Sequence, residues 1–239
     1  MDQLLVYPLS EGAIVISFGE AISLEIHKQV IAVRQALENK PFEGYIESVP
    51  AFNTLTIYYD ANLIAKFAAT PHEPLFTQVR DYIIRIINEP FIPSAESSRE
   101  FTIPICYGGI HGPDLVDVAR YLQMDPVEII RLHSQAKYTV FMMGFVPGFA
   151  YLGELPEVLT VARRPTPRAK VAAGSLGIAG RQTGVYPIEV PGGWHLIGQT
   201  PLTLFNPLKP SPALLSAGDL VVFNPISAEE FMHLKEQEK

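Results

Sequence analysis

The chain holds one cysteine, Cys106, in 239 residues, so no internal disulfide can form and a reducing compartment suits it. Charge is scarce: 18% of residues are charged and the formal net charge is −7, which argues against nucleic acid as the main partner. No apolar run is long enough to span a bilayer. The opening MDQLLVYPLSEGA lacks the basic start and apolar run of a signal peptide. These absences predict a cytoplasmic protein with neither a membrane nor a nucleic acid as partner. Phosphate fingerprints are missing as well. GSLGIAG (Gly174–Gly180) spaces its glycines by three and is neither G-x-x-x-x-G-K-[ST] nor G-x-G-x-x-G. The six histidines show no H-E-x-x-H spacing, and one cysteine cannot build a thiolate zinc site, so no metal is expected. Cys106 lies in an apolar run and reads as a buried, inert thiol rather than a nucleophile.

What is present is core-forming material: 48% of the residues are hydrophobic. Ala13–Gly19 is a short β-rich run. Ile26, Val30, Val33 and Leu37 then recur at offsets of four, seven and eleven, which places them on one helix face. Gly44–Phe52 and Thr54–Asp60 read as a hairpin. Leu75, Val79, Ile83 and Ile86 mark a second amphipathic helix, and Phe101–Gly108 is again a strand. The order β-α-β-β-α-β is that of a ferredoxin-like split unit. Glu89–Glu100, with two prolines and three serines in twelve residues, reads as a linker. It divides the chain into residues 1–94 and 95–239. A helix over roughly Asp114–Gln123 follows. A second begins at DPVE, where Asp125 caps, Pro126 suits the first turn and Glu128 can reach back. Beyond Tyr138 come short β-runs broken by glycine and proline: TVFMMGF, KVAAGSLGIAG, VYPIEV, WHLIGQT, LTLFNP and LVVFNP. They predict a closed or nearly closed barrel. Ser227–Glu230 opens a last helix with a capping box.

Chemistry concentrates between Gly144 and Pro207. RRPTPRAK (Arg163–Lys170) holds four of the eighteen basic residues, and reads either as a solvated loop or as an anion site. Arg168, beside the glycine-rich segment, is the expected anion contact, with Arg163 and Arg164 further out. Gln182–Pro201 adds the single tryptophan, Trp194, with His195 and two glutamines. Aromatic walls, amides and an arginine suit a small polar ligand. Trp194 reads equally as core, and His195 as either a proton carrier or a satisfied structural residue. The stretch FMMGFVPGFAYLGELP (Phe141–Pro156) is too broken for a helix and carries only one charge, Glu154. It predicts a stiff loop of Phe145, Pro147, Gly148, Phe149 and Tyr151 over the barrel mouth, walling a pocket.

GFVPGFAYLGELP, PRAKVAAGSLGIAGRQTGVYPIEVPGGWHLIGQTPLTLFNP and ICYGGIHGPDL resemble the family that includes the B subunit of 5-oxoprolinase and the Kip-type inhibitor of a sporulation histidine kinase. The same module resembles the first half of allophanate-hydrolase-like carboxyltransferase domains. The resemblance covers nearly the whole chain. It implies an α+β protein, with an N-terminal ferredoxin-like domain followed by a cyclophilin-like β-barrel domain. It also implies one component, inactive alone, of a multi-subunit enzyme that opens 5-oxoproline to glutamate. ATP with magnesium would act in the assembled complex, with no recognisable motif for it in this chain. The implied partners are a sister carboxyltransferase-like protein of the C type and an A-type protein of the same enzyme. The alternative implied is a protein that binds a sensor histidine kinase and blocks its autophosphorylation. On this basis Arg168 and His195 are the expected catalytic residues. Phe145, Phe149, Ser175, Gln182 and Trp194 are the expected substrate contacts.

Overall fold

Ser23 ends an extended segment and its hydroxyl accepts from the Ile26 N–H at 3.2 Å. One otherwise unpaired amide of the first turn is thereby satisfied, and helix α1 (Leu24–Asn39) begins. Its Val30 and Leu37 are fully buried, as the apolar spacing requires. The computed structural model describes residues 4–67, 73–89 and 99–238. The chain divides into two compact units, Met1–Ser97 and Ser98–Lys239. The expected boundary at residue 94 falls outside the described residues.

In the first unit, β1 (Leu5–Ser10) and β2 (Ala13–Ser17) precede α1. They are followed by β3 (Tyr45–Pro50), β4 (Thr54–Tyr59), α2 (Ala61–Phe67) and α3 (Leu75–Asn88). The strands form an antiparallel sheet in the order β1-β2-β4-β3. Ile14, Ile16, Leu55 and Ile57 from the sheet pack with Val79 and Ile83 of α3 in one core. The expected sixth element of the split unit, the strand at Phe101–Gly108, is not part of this sheet. The edge beside β2 is taken by β1, which the sequence reading did not assign. Only two residues separate β1 from β2, so this hairpin closes at far lower entropic cost than a pairing across most of the unit.

In the second unit, β5 (Glu100–Tyr107), α4 (Leu115–Leu122), α5 (Pro126–Gln135), β6 (Lys137–Met143) and β7 (Ala150–Gly153) come first. β8 (Arg168–Val171), β9 (Ser175–Ala179), β10 (Gln182–Val185), β11 (Val190–Gly192), β12 (His195–Gln199), β13 (Leu220–Pro225) and α6 (Ala228–Gln237) follow. Seven strands close a barrel in the order β10-β7-β6-β13-β5-β12-β9, and β8 and β11 form a separate two-stranded ribbon. β5 lies parallel to β13 and antiparallel to β12, with Ile103 and Ile105 fully buried. Asp125 caps α5 by accepting from the Val127 N–H at 2.7 Å. Glu128 does not reach back to that cap; it forks onto Arg131. LTLFNP is not a strand. It contributes only an isolated bridge between Phe205 and Ala213. Ser227 caps α6 through the Glu230 N–H at 3.1 Å.

The barrel core includes a buried polar chain. Thr183 donates its hydroxyl to the Gly177 carbonyl at 3.0 Å, so the oxygen accepts from His133 Nε2–H, also at 3.0 Å. His133 Nδ1 must then accept from the Tyr107 hydroxyl at 2.8 Å. Full burial pushes the His133 imidazole down to about 3. Burial also raises the Cys106 thiol, which suits an inert core cysteine.

Candidate functional site

Side chains alternate across a strand. Leu176 and Ile178 of β9, and Thr183 and Val185 of β10, face the barrel core. Ala179 and Gly184 therefore face outward. A second apolar cluster lies on that outer wall, formed by Phe149, Val171, Ala179, Tyr186, Trp194 and Leu196. Gly184 is required there. A Cβ at that position would stand 2.8 Å from the Ala150 carbonyl oxygen and 3.1 Å from the Phe149 ring. The Phe141–Pro156 stretch is the β6–β7 hairpin and its loop. Its rings pack on the outer face of the wall, not over the barrel mouth. Phe149 is the hub, edge-on to Tyr151 at 4.8 Å, to Tyr186 at 5.3 Å and to Trp194 at 5.6 Å. At the loop's tip, Phe145 has φ 67°, in the left-handed region that disfavours a side chain, and the residue is 59% exposed.

These rings wall a pocket of about 270 Å³. Phe145, Phe149, Tyr151, Tyr186 and Trp194 supply the aromatic surface, and Arg163 and Arg164 the charge. Gly192 allows the close approach of Tyr186, whose hydroxyl would lie 2.5 Å from a Cβ at that position. Burial raises the Tyr186 phenol above its ordinary value, opposed by the Trp194 backbone N–H and by the charge of Arg163. Tyr151 is likewise raised by burial, with Arg163 again opposing.

The segment that carries the arginines is held at several points. Asp114, 3% exposed, precedes α4 but does not cap it. Its carboxylate accepts from Arg168 Nη1 and Nη2 at 2.9 and 2.6 Å, from Arg164 Nη1 at 3.1 Å and from the Leu196 N–H at 2.7 Å. The Arg164 N–H donates to the Gly193 carbonyl at 2.8 Å. His195 Nε2–H donates to the Ala162 carbonyl at 3.0 Å, and its Nδ1 is buried without a partner among the described residues.

Of the expected site residues, Phe145, Phe149 and Trp194 come together in the pocket. Ser175 is buried at the start of β9 and Gln182 lies in β10 opposite Ala179; neither is a pocket wall. Arg168, expected as the anion contact, instead engages Asp114 with both terminal nitrogens. His195 faces the Ala162 carbonyl and is not a wall of the pocket. Both hold the arginine segment in place. Tyr186, Arg163 and Asp114 were not expected at the site. The Gly-Pro-Asp before α4 was visible as a helix start, but nothing local to it announces a partner 54 residues away. Among the described residues no group of histidine, cysteine, aspartate and glutamate is placed to hold a metal ion, and no helix is long and apolar enough to cross a membrane.

The fold has known counterparts. The chain belongs to the carboxyltransferase domain family, subdomain C and D, whose model matches residues 4–215. It is 42% identical over 233 residues to the 5-oxoprolinase B subunit of Bacillus subtilis (strain 168), covering 96% of this chain and 95% of that one. The solved structure of TTHA0988 superposes with a TM-score of 0.75 at 30% identity, over 90% of this chain. This chain spans only 40% of the length of TTHA0988. The Kluyveromyces lactis urea amidolyase shares the fold, with a TM-score of 0.73 at 19% identity, covering 98% of this chain and 15% of that one.

Proposed function

We propose that this chain is the B-type component of a multi-subunit 5-oxoprolinase that opens 5-oxoproline to L-glutamate with ATP and magnesium. The observation that carries the proposal is the near end-to-end match to the B component of that enzyme, at 42% identity. The pocket supports it. At about 270 Å³ it lies just under the ~300 Å³ at which drug-sized sites begin, so it suits a small ring. Its walls are aromatic rings, prolines, glycines and arginines. They include no carboxylate, histidine, lysine, serine or cysteine, and burial raises both tyrosine phenols further above neutral pH. On this reading the chain binds and orients the ring. In the assembled enzyme ATP would supply a phosphoryl group to the lactam oxygen with release of ADP, and water would then open the ring with release of phosphate, using groups from the sister C-type and A-type proteins. The reading also takes the first unit as a variant of the ferredoxin-like unit, with β1 in place of the sixth element at the sheet edge, and the barrel as cyclophilin-like.

Reconstitution tests the proposal. The purified chain is mixed with candidate partner proteins, ATP and magnesium, and glutamate formed from 5-oxoproline is measured. Activity is expected from the full set only, and lost when this chain is omitted. Turnover by the isolated chain, or by the partners without it, would refute the assignment.

A further inference from the structure

Four cations lie on Arg163–Lys170. Arg164 and Arg168 share the Asp114 carboxylate, and Lys170 pairs with Glu189 at 3.0 Å. Arg163 has no carboxylate partner among the described residues. It is exposed, lines the pocket, and its charge reaches the hydroxyls of both Tyr151 and Tyr186. Tyr186, almost fully buried, is a wall of the same pocket. Three guanidiniums against one carboxylate leave this rim positive in a chain whose net charge is −7, and a local positive field concentrates anions.

We propose that Arg163 is the anion-reading residue of the pocket, and that the pocket takes a small carboxylate with a flat, largely apolar body. The carboxylate lies on the Arg163 guanidinium and the Tyr186 hydroxyl, and the body lies among Phe149, Tyr151 and Trp194. A planar guanidinium matches a carboxylate. Arg164 and Arg168 stay locked on Asp114 and serve as positioning residues. The identity of the ligand as 5-oxoproline rests on the function proposed above; its chemical class rests on the walls.

Trp194, the single tryptophan, is itself a wall, so its emission reports occupancy. The full-length chain is titrated with 5-oxoproline, with cyclopentanecarboxylate and with 2-pyrrolidinone, which keeps the lactam but lacks the carboxylate. Both carboxylates are expected to saturate the signal, and 2-pyrrolidinone to bind about tenfold more weakly, the usual scale for losing one charge-assisted hydrogen bond. Arg163→Ala should weaken both carboxylates by about the same factor and leave 2-pyrrolidinone unchanged, with Arg163→Lys in between. Equal binding of 5-oxoproline by the wild type and Arg163→Ala overturns the inference, as does the absence of a saturable response to either carboxylate. The two proposals fail separately. If cyclopentanecarboxylate binds through Arg163 and 5-oxoproline does not, the carboxylate site stands and the 5-oxoprolinase assignment falls. If the reconstituted enzyme turns over 5-oxoproline with a KM indifferent to Arg163→Ala, the assignment stands and this inference falls.

Discussion

Replacing Asp114 by alanine removes the acceptor on which the arginine segment converges. Four hydrogen bonds disappear together: three from Arg164 and Arg168 and one from the Leu196 N–H. The carboxylate is 3% exposed, while the Arg164 and Arg168 side chains keep 31% and 25% exposure. Breaking a buried ion pair from one side typically costs about 3–5 kcal/mol. The two arginines can partly rehydrate, which places the loss near the lower end. The Leu196 N–H cannot, and an orphaned buried donor alone costs about 1–3 kcal/mol. A total of about 4–6 kcal/mol follows, which for a unit the size of Ser98–Lys239 lowers the Tm by roughly 10–20 °C. Asp114→Asn keeps an oxygen for the Leu196 N–H but turns an amino group toward the guanidiniums, so its loss should be intermediate. Arg168→Ala leaves Arg164 and the Leu196 N–H in place and should cost less than Asp114→Ala. The assay is thermal unfolding followed by circular dichroism, paired with ligand titration of Trp194 fluorescence. A Tm for Asp114→Ala within about 2 °C of the wild type would refute the view that this carboxylate fixes the pocket's charged wall.

Acid should weaken the barrel through His133. The folded state holds its imidazole down to about 3 while the unfolded chain titrates near 6.5. Its contribution is therefore full above about pH 6.5 and is lost as pH falls from there toward 3, by at most about 1.4 kcal/mol per unit. Urea midpoints between pH 7.5 and 4.5 should fall more steeply for the wild type than for His133→Gln; parallel slopes would count against the buried neutral histidine. Phe145→Gly should leave stability within about 1 kcal/mol, because relief of the left-handed backbone offsets the entropy of glycine, and should weaken ligand binding. A loss above about 2 kcal/mol would mean that the ring is packed as core. A chain beginning at Arg99 should melt cooperatively, because the barrel closes with its own strands and the Arg99–Asp219 pair is retained; a protease-sensitive, non-cooperative product would show that the first unit is needed.

Periodic features were legible in the sequence because their cause is local. The α1 face at Val30 and Leu37, the caps at Asp125 and Ser227, and a barrel of short strands all follow from spacing and turn residues. The outer wall was half legible: Phe145 and Phe149 stood out in an apolar loop broken by glycine and proline, Trp194 as an aromatic beside amides and an arginine, and the structure joins them. Tyr186 escaped because its role depends on Gly192, where a Cβ would collide with its hydroxyl, and that is a fact of packing. Arg168 and Arg163 look alike in sequence. Only Asp114, brought in from before α4, separates the one that is neutralised from the one left to face a ligand. The strand at Glu100–Tyr107 was recognised, and read as the sixth element of the split unit although it follows the expected boundary, since sequence adjacency cannot show that β13 lies more than a hundred residues on as its parallel neighbour. His133 gave no local sign of the chain that joins Tyr107 to Thr183.

The most direct test of the central claim blocks the pocket without disturbing the fold. Gly193 is one of its walls, and the nearest atoms an added Cβ would meet are those of Pro167, at 3.7 Å and beyond, an ordinary contact. Gly193→Leu therefore extends a side chain into the pocket while leaving the backbone free of a clash. In the reconstituted enzyme, the KM for 5-oxoproline should rise about tenfold or more, the scale of losing a small ligand's main contacts, with the Tm of the chain unchanged. An unchanged KM at unchanged Tm would contradict the assignment of this pocket as the place where 5-oxoproline binds.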